Sequence, residues 1–400
     1  MDAYNRLLTD LFLAYYDARK NKRNTINQLR FEVNYETNLI KLCDDILSYQ
    51  YEIQPSICFI VDHPVKREIF AADFRDRVIH HLIFNYLSPF YEQVFIEDSY
   101  SCRKNKGTHY AIKRVESFIK ECSNNYTTDC YVLKLDIQGY FMNINRGMLL
   151  AMVEDFIAKI DPKKLAIEKD LILYLIRCVL HDDPTERCIV KGHRSDWEGL
   201  PHSKSLFYTD KERGLPIGNL TSQLFSNVFL HVLDYHVKND LQIDYYGRDV
   251  DDFVIIHKDR DFLNLLKNDI SEYLEDKLQL AIHPKKVFLQ HYSKGVTFLG
   301  ATIKPHRTYI SNRAKKHFIN CIHRWRVYLE GRTPNARELQ HLSSAINSYL
   351  GVLGHYRAYN IKKKILLDNK DSSFIYKYGY IQIKPYKQMK YVLKNQINKR

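Results

Sequence analysis

The chain lacks the markers of several protein classes. Its eight cysteines, Cys43, Cys58, Cys102, Cys122, Cys130, Cys178, Cys188 and Cys321, form no CxxC pair. That excludes the usual zinc-ligand spacing and a disulfide framework, and reduced thiols in a cytosol fit best. Glycine (14) and proline (11) are sparse. No Gly/Ser-rich or Pro-rich linker divides the chain, and no internal repeat is evident. No run of 18 uncharged apolar residues occurs, so no membrane span is expected. The first residues, MDAYNRLLTDLFLAYYDARKNKR, lack the apolar stretch of a signal peptide. A cytoplasmic protein is the expectation.

What is present is charge and aromatic mass. Of 400 residues, 45% are hydrophobic and 27% charged, which permits a sizeable core and two or three domains. The formal net charge is +13. Such a bias points to a polyanionic partner, nucleic acid before an anionic membrane, with a merely basic surface as the bland alternative. Thirty tyrosines and twenty phenylalanines lie among the lysines and arginines. That mixture suits base stacking as well as core packing.

Periodicity gives a coarse map. Residues 4–50 have helical spacing, and 51–72 alternate as strands do. Asp73 stands where an N-cap belongs, before a helix interrupted near Pro89. Further helices are expected over 108–122, 146–180, 220–238, 261–279, 311–331 and 335–367. Strands are expected over 131–137, in a hairpin over 243–257, and within 286–303. Residues 181–213 read as a loop or small ribbon. The tail from 368 is basic and rich in tyrosine. The middle is thus an α+β arrangement and the C-terminal part is largely helical.

The stretch YYGRDVDDFVII sets Asp249, Asp251 and Asp252 between segments that want burial. Carboxylates packed so tightly repel unless a cation lies between them. Mg²⁺ is the usual answer, because it takes carboxylate and phosphate oxygens. Asp136 ends the apolar strand YVLKLDI, where a carboxylate has no packing reason to be. Asp136 and Asp251 delivered to one edge could bridge a pair of metals about 3.5–4 Å apart, an arrangement suited to in-line phosphoryl displacement. A solvated acidic turn is the alternative.

Eight strings in order, FAADFRDRVIHHLI, DSYSCRKNKGTHYAI, LKLDIQGYF, GLPIGNLTSQLFSNVFL, RDVDDFVII, HPKK, GVTFLG and INSYLGVLGHYRAYN, resemble the motifs of bacterial retron-type reverse transcriptases. The likeness extends to the phage-defence "unknown group" enzymes and to diversity-generating retroelements. It covers roughly residues 60–365. It implies a right-hand polymerase with an RRM-like antiparallel palm sheet and a helical thumb. The expected division is a helical extension (1–50), fingers (51–130), palm (131–303, with a loop insertion at 181–213), and thumb with basic tail (304–400). It also implies RNA-directed DNA synthesis from dNTPs with two Mg²⁺ ions, for which Mn²⁺ can substitute. The implied partners are an RNA template, often a dedicated noncoding RNA, the DNA product, and a partner protein or second copy.

Residue by residue, the resemblance makes Asp136, Asp251 and Asp252 the catalytic metal set, with Ile137 beside Asp136 included. Phe141 matches the aromatic gate against a ribose 2′-OH, although a core phenylalanine would look the same. Lys66 and Arg67 match residues that grip the triphosphate, as a guanidinium can. Lys286 matches a general acid for the leaving pyrophosphate. Gly218, Asn219, Ser222 and Gln223 fall where small residues let a backbone approach the nascent pair; a plain helix cap is the alternative. Nucleic-acid contacts are expected from Arg75, Arg77, Arg103, Lys104, Tyr349, His355 and Arg357, with salt bridges or a solvated basic helix face as the competing reading. Two positions depart from the family pattern. Asp249 replaces the usual Tyr of the YxDD box, and Ile217 replaces a Gln. They leave room for untemplated or protein-guided synthesis, or for a decayed nucleic-acid-binding scaffold.

Overall fold

The computed structural model describes residues 2–20, 25–62 and 65–394. It divides into two compact units, residues 1–107 with 133–289, and residues 108–132 with 290–400. The units divide after residues 107, 132 and 289.

The first unit opens with helices α1 (Ala3–Arg19), α2 (Ile26–Val33) and α3 (Tyr35–Leu47), then strands β1 (Ile57–Val61) and β2 (Arg67–Ala71) and helix α4 (Phe74–Val94). The second unit contributes α5 (Thr108–Cys122). The chain continues through β3 (Tyr131–Asp136), α6 (Tyr140–Asn143), α7 (Arg146–Lys159), α8 (Lys169–His181), β4 (Ile189–Val190) and α9 (Leu220–Tyr235). It then runs through β5 (Tyr246–Asp249), β6 (Asp252–His257), α10 (Arg260–Leu278) and β7 (Phe288–His291). Two sheets result, with strand orders β2-β1-β4 and β5-β6-β3-β7. Helix α1 packs on α4 and α4 on α9, burying Leu7, Leu11, Ile79, Leu82, Phe225 and Phe229. Burial of that apolar surface is the main stabilising term.

The second unit continues with β8 (Val296–Phe298), β9 (Ala301–Lys304), β10 (Arg307–Ile310), α11 (Asn312–Leu329), α12 (Ala336–Gly354), α13 (Tyr359–Leu366), α14 (Ile375–Tyr378), β11 (Gly379–Lys384) and β12 (Gln388–Leu393). Its core gathers Phe318, Ile322, Leu342, Ile346, Leu366 and Tyr391.

The α+β expectation holds, and four details differ. Helix α4 runs through Pro89. Tyr86, Leu87 and Tyr91 are buried on both sides of that proline, and their packing offsets its cost of roughly 3 kcal/mol. The single helix expected over 146–180 breaks at Asp161-Pro162, where Asp161 caps a tight turn. The helix over 335–367 ends at Gly354 and restarts at Tyr359. The tail is not merely a basic coil, because residues 379–393 form the antiparallel hairpin β11-β12.

Asp73 caps α4 as expected, accepting the Arg75 amide at 3.0 Å. Asp76 in the same first turn is buried and accepts the Tyr51 hydroxyl at 2.8 Å and the Gln54 amide at 2.7 Å. Burial pushes its carboxyl up to about 7, against the pull of those two donors. In the unfolded chain the same group ionises near pH 4. Asp76 therefore destabilises the fold progressively as pH rises from about 4 to 7, by up to about 4 kcal/mol. Denaturant titrations of Asp76→Asn against wild type should show the stability difference moving in the variant's favour across that range. A pH-independent difference would contradict the assignment.

Candidate active site

Strand β3 ends on Asp136, which is 7% exposed. Strands β5 and β6 pair antiparallel from Tyr246↔Ile255 to Asp249↔Asp252. Only Val250 and Asp251 remain for the turn. Two-residue hairpins of this kind need positive φ, which Gly or Asn supplies at low cost. Here Val250 takes φ +58°, which is rare for a β-branched residue.

The Ile137 amide donates to the Asp251 carbonyl at 3.2 Å, tying the end of β3 to the turn. Two carboxylates from separate strands thereby meet. Burial pushes the Asp251 carboxyl up to about 6, with the Asp136 charge as the next cause. The Lys286 ammonium donates to both Asp136 oxygens at 2.7 Å. Asp252 turns to Lys134, with Nζ to Oδ1 3.0 Å. Asp249 faces Asp252 across the hairpin and is also pushed up to about 6, by burial first and the Asp252 charge second. Among the described residues, no three His, Cys, Asp or Glu side chains lie together as a ready metal cluster. Two acids, Asp136 and Asp251, make up the convergent pair, and Lys286 supplies countercharge. Ile137 is fully buried and carries no polar side chain, so it reaches the site only through its backbone.

Around this pair, Phe141 packs half-buried against Cys58, Phe70, Met142 and Leu206, with Ile217 on the same cluster. Gly218 has φ +133°, and a Cβ there would collide with the Phe70 carbonyl. Its small size thus serves contact with β2, where the Phe70 amide donates to Ile217 at 2.8 Å. Asn219 precedes α9 and accepts the Ala72 amide at 3.2 Å. Ser222 is buried and Gln223 exposed. Lys66 donates to the Glu198 carbonyl at 2.6 Å, and Arg67 begins β2 exposed.

Several expected nucleic-acid contacts have protein partners instead. Arg75 pairs with Asp45 at 2.6 Å, donates to the Glu52 carbonyl, and lies over the Tyr51 ring. Arg103 pairs with Glu92 at 2.9 Å and donates to the carbonyls of Ile96 and Ser99. Tyr349 stacks on Phe318 at 4.7 Å against the second unit's core. His355 stacks on His109 at 3.6 Å. Arg77 is half-buried, and Lys104 and Arg357 are exposed.

Sequence reasoning missed Lys134, Glu68 and the pair Arg248–Asp234. Glu68 is 1% exposed and anchors the 197–206 segment through Trp197 Nε1, Ser205 Oγ and the Leu206 amide. A signal for Asp234 existed: it is an acid on one helical face with Asn227, directly after the mostly apolar run VFLHVL.

The burial of Asp251, with the Asp136 charge beside it, has a measurable consequence. Its folded-state carboxyl ionises near 6 and its unfolded one near 4. Ionisation therefore costs stability that begins near pH 4 and is fully felt above 6. In EDTA at pH 7, Asp251→Asn should be more stable than wild type by about 1–3 kcal/mol. At pH 4 the difference should vanish. A variant less stable at pH 7 would contradict the reading.

The profile described as reverse transcriptase (RNA-dependent DNA polymerase) matches residues 66–303. The chain is 21% identical over 309 residues to protein YkfC of Escherichia coli, covering 69% of this chain and 73% of that one. It is 20% identical over 370 residues to the group II intron-encoded protein LtrA of Lactococcus lactis, covering 77% of this chain and 53% of LtrA. It thus spans about half of that relative. Among solved structures, a telomerase from Candida albicans with a fragment of telomeric RNA superposes with TM-score 0.47 at 11% identity, over 84% of this chain and 60% of that one. A truncated apo telomerase from Candida tropicalis gives TM-score 0.45 at 15% identity, over 69% and 60% of the two chains. With the matched profile reaching from β2 through both aspartate-bearing strands to β9, the chain belongs to the reverse transcriptase family of RNA-directed DNA polymerases.

Proposed function

We propose that Asp136 and Asp251 are the metal-holding acids of a DNA polymerase site that copies an RNA template. The observation that carries this reading is their convergence from β3 and the β5-β6 turn, with Asp251 pushed up by burial and by Asp136. The donor set is oxygen-only, which fits a hard divalent cation. Bound Mg²⁺, or Mn²⁺ in its place, would offset the carboxylate repulsion and make a primer hydroxyl easier to deprotonate. Lys286 is positioned to neutralise Asp136 and to give a proton to departing pyrophosphate. Asp252 sits against Lys134 and orients the start of β6. Phe141 screens the sugar 2′ position, and Lys66 and Arg67 grip the triphosphate.

The charge distribution supports a polyanionic partner. Residues 108–132 and 290–400 hold 25 Lys and Arg against seven Asp and Glu, an excess of +18. The chain total is +13, so the other unit carries −5. The basic unit is read as a thumb that grips the backbone of template and product, and the first unit as fingers and palm. Binding through phosphates is strongly salt-dependent.

For the biological role we favour bacterial antiphage defence with a dedicated noncoding RNA. Ile217 and Asp249 favour a specialised synthesis over faithful copying, and a diversity-generating retroelement is the second reading. Sequencing the DNA made on the copurifying RNA separates them. A defined copy of one structured RNA supports the first, frequent errors along a variable repeat support the second, and a product without template correspondence contradicts both.

The reaction is tested by primer extension on an RNA template. Asp136→Asn and Asp251→Asn should each lower dNTP incorporation by about a hundredfold or more, and chelation should abolish it. Phe141→Ala should raise ribonucleotide insertion relative to deoxynucleotide. Full synthesis by Asp251→Asn would defeat the assignment.

A further inference from the structure

Beneath the aspartate turn lies an ion pair that the chemistry above does not use. Arg248 and Asp234 are both fully buried, with Nη2 to Oδ2 2.5 Å. A guanidinium carries five N–H donors in a rigid fork. All five are engaged here. Nε donates to Asp234 Oδ1 at 2.7 Å, and Nη2 to Asp234 Oδ2 at 2.5 Å and Ser99 Oγ at 3.3 Å. Nη1 donates to Asn227 Oδ1 at 3.3 Å and to the Val250 carbonyl at 3.0 Å. That last acceptor belongs to the turn itself, one residue before Asp251.

Stability alone does not account for the pair, because a buried ion pair is often no better than apolar residues of the same volume. The turn does need a restraint. A residue such as Val250 at φ +58° costs about 1–3 kcal/mol and persists only where its surroundings over-determine it. The strand before the turn is pinned by the same arginine's backbone: Arg248 N donates to the Asp98 carbonyl, and Tyr100 N to the Arg248 carbonyl, both at 2.8 Å. A Cβ at Gly247 would collide with the Tyr100 hydroxyl. Asn227 in turn donates to the Ser101 carbonyl at 2.8 Å.

We propose that Arg248, clamped by Asp234, is a positioning residue that grips the Val250 carbonyl and so imposes the strained turn that sets Asp251 against Asp136. The proposal rests on the reading of Asp251 as a reacting-site acid. A lysine cannot replace the arginine, having three donors on one nitrogen where five are needed along a plane.

The test uses the full chain in single-turnover extension of a primed RNA template. Arg248→Met with Asp234→Leu removes both charges together. Tyr246→Phe accompanies them, since that hydroxyl also donates to Asp234 at 2.7 Å. The triple variant should unfold cooperatively yet incorporate dNTP about a hundredfold more slowly, with dNTP affinity changed by less than about threefold. Adding Val250→Gly, which takes positive φ at little cost, should recover about tenfold of the rate. A folded triple variant at the wild-type rate overturns the proposal, and so does an absence of recovery. If the triple variant does not fold, Arg248→Lys serves: a tenfold or greater rate loss, on the order of that recovery, at unchanged dNTP affinity supports the brace, and the wild-type rate overturns it. Asp251→Asn runs alongside. Its activity would defeat the site assignment itself, whereas its inactivity beside a fully active Arg248 variant defeats only the brace.

Discussion

Two carboxylates that repel each other in a partly buried setting govern this molecule. Asp136 ends β3, Asp251 sits in the β5-β6 turn, and the Ile137–Asp251 backbone bond brings them together. Burial first and the Asp136 charge second push the Asp251 carboxyl up, so its ionisation works against the fold. Such frustration has a physical use only when a cation arrives to relieve it. Lys286 supplies part of that countercharge at Asp136, while Lys134 pairs with the neighbouring Asp252. An ammonium is a single point charge, however, and cannot offer the several coordination positions that a phosphate oxygen and a hydroxyl need together.

The surroundings of the pair divide into parts that touch the chemistry and parts that hold it still. Phe141 and Lys286 flank the pair through packing and an ion pair, and these together with Lys66 and Arg67 are the side chains assigned above by proposal to the nucleotide. Arg248, Asp234 and Asn227 lie underneath, buried and saturated with hydrogen bonds. Glu68 plays a comparable part for the 197–206 segment. Charged side chains buried this completely are costly to leave unpaired, and both Arg248 and Glu68 spend their bonds on neighbouring backbone or loop groups.

Much of this was legible in residues. Asp73 before an apolar helix, the short apolar run YVLKLD and the DVDD turn each pointed to their elements through capping, apolar pattern and turn chemistry. The two acids were legible because a strand-ending carboxylate has no packing role. Other features were hidden by tertiary context. Pro89 signalled a break that burial of Leu87 and Tyr91 overrides. Arg75 and Arg103 looked like phosphate ligands, since an exposed and an internally paired arginine read alike in one dimension; their partners Asp45 and Glu92 lie 30 and 11 residues away. The β11-β12 hairpin did carry a signal, the alternation of YIQIK and QMKYVL, but its lysines and tyrosines suggested only a basic tail. Arg248 was quoted within the turn without its role, because nothing local shows that Asp234 waits on α9.

The measurement that bears most directly on this account is Mn²⁺ binding by electron paramagnetic resonance, without nucleic acid or nucleotide. Wild type should bind Mn²⁺, and Asp136→Asn and Asp251→Asn should each lose that binding while remaining folded. Both variants binding Mn²⁺ as wild type does would show that the two acids do not form one cation site.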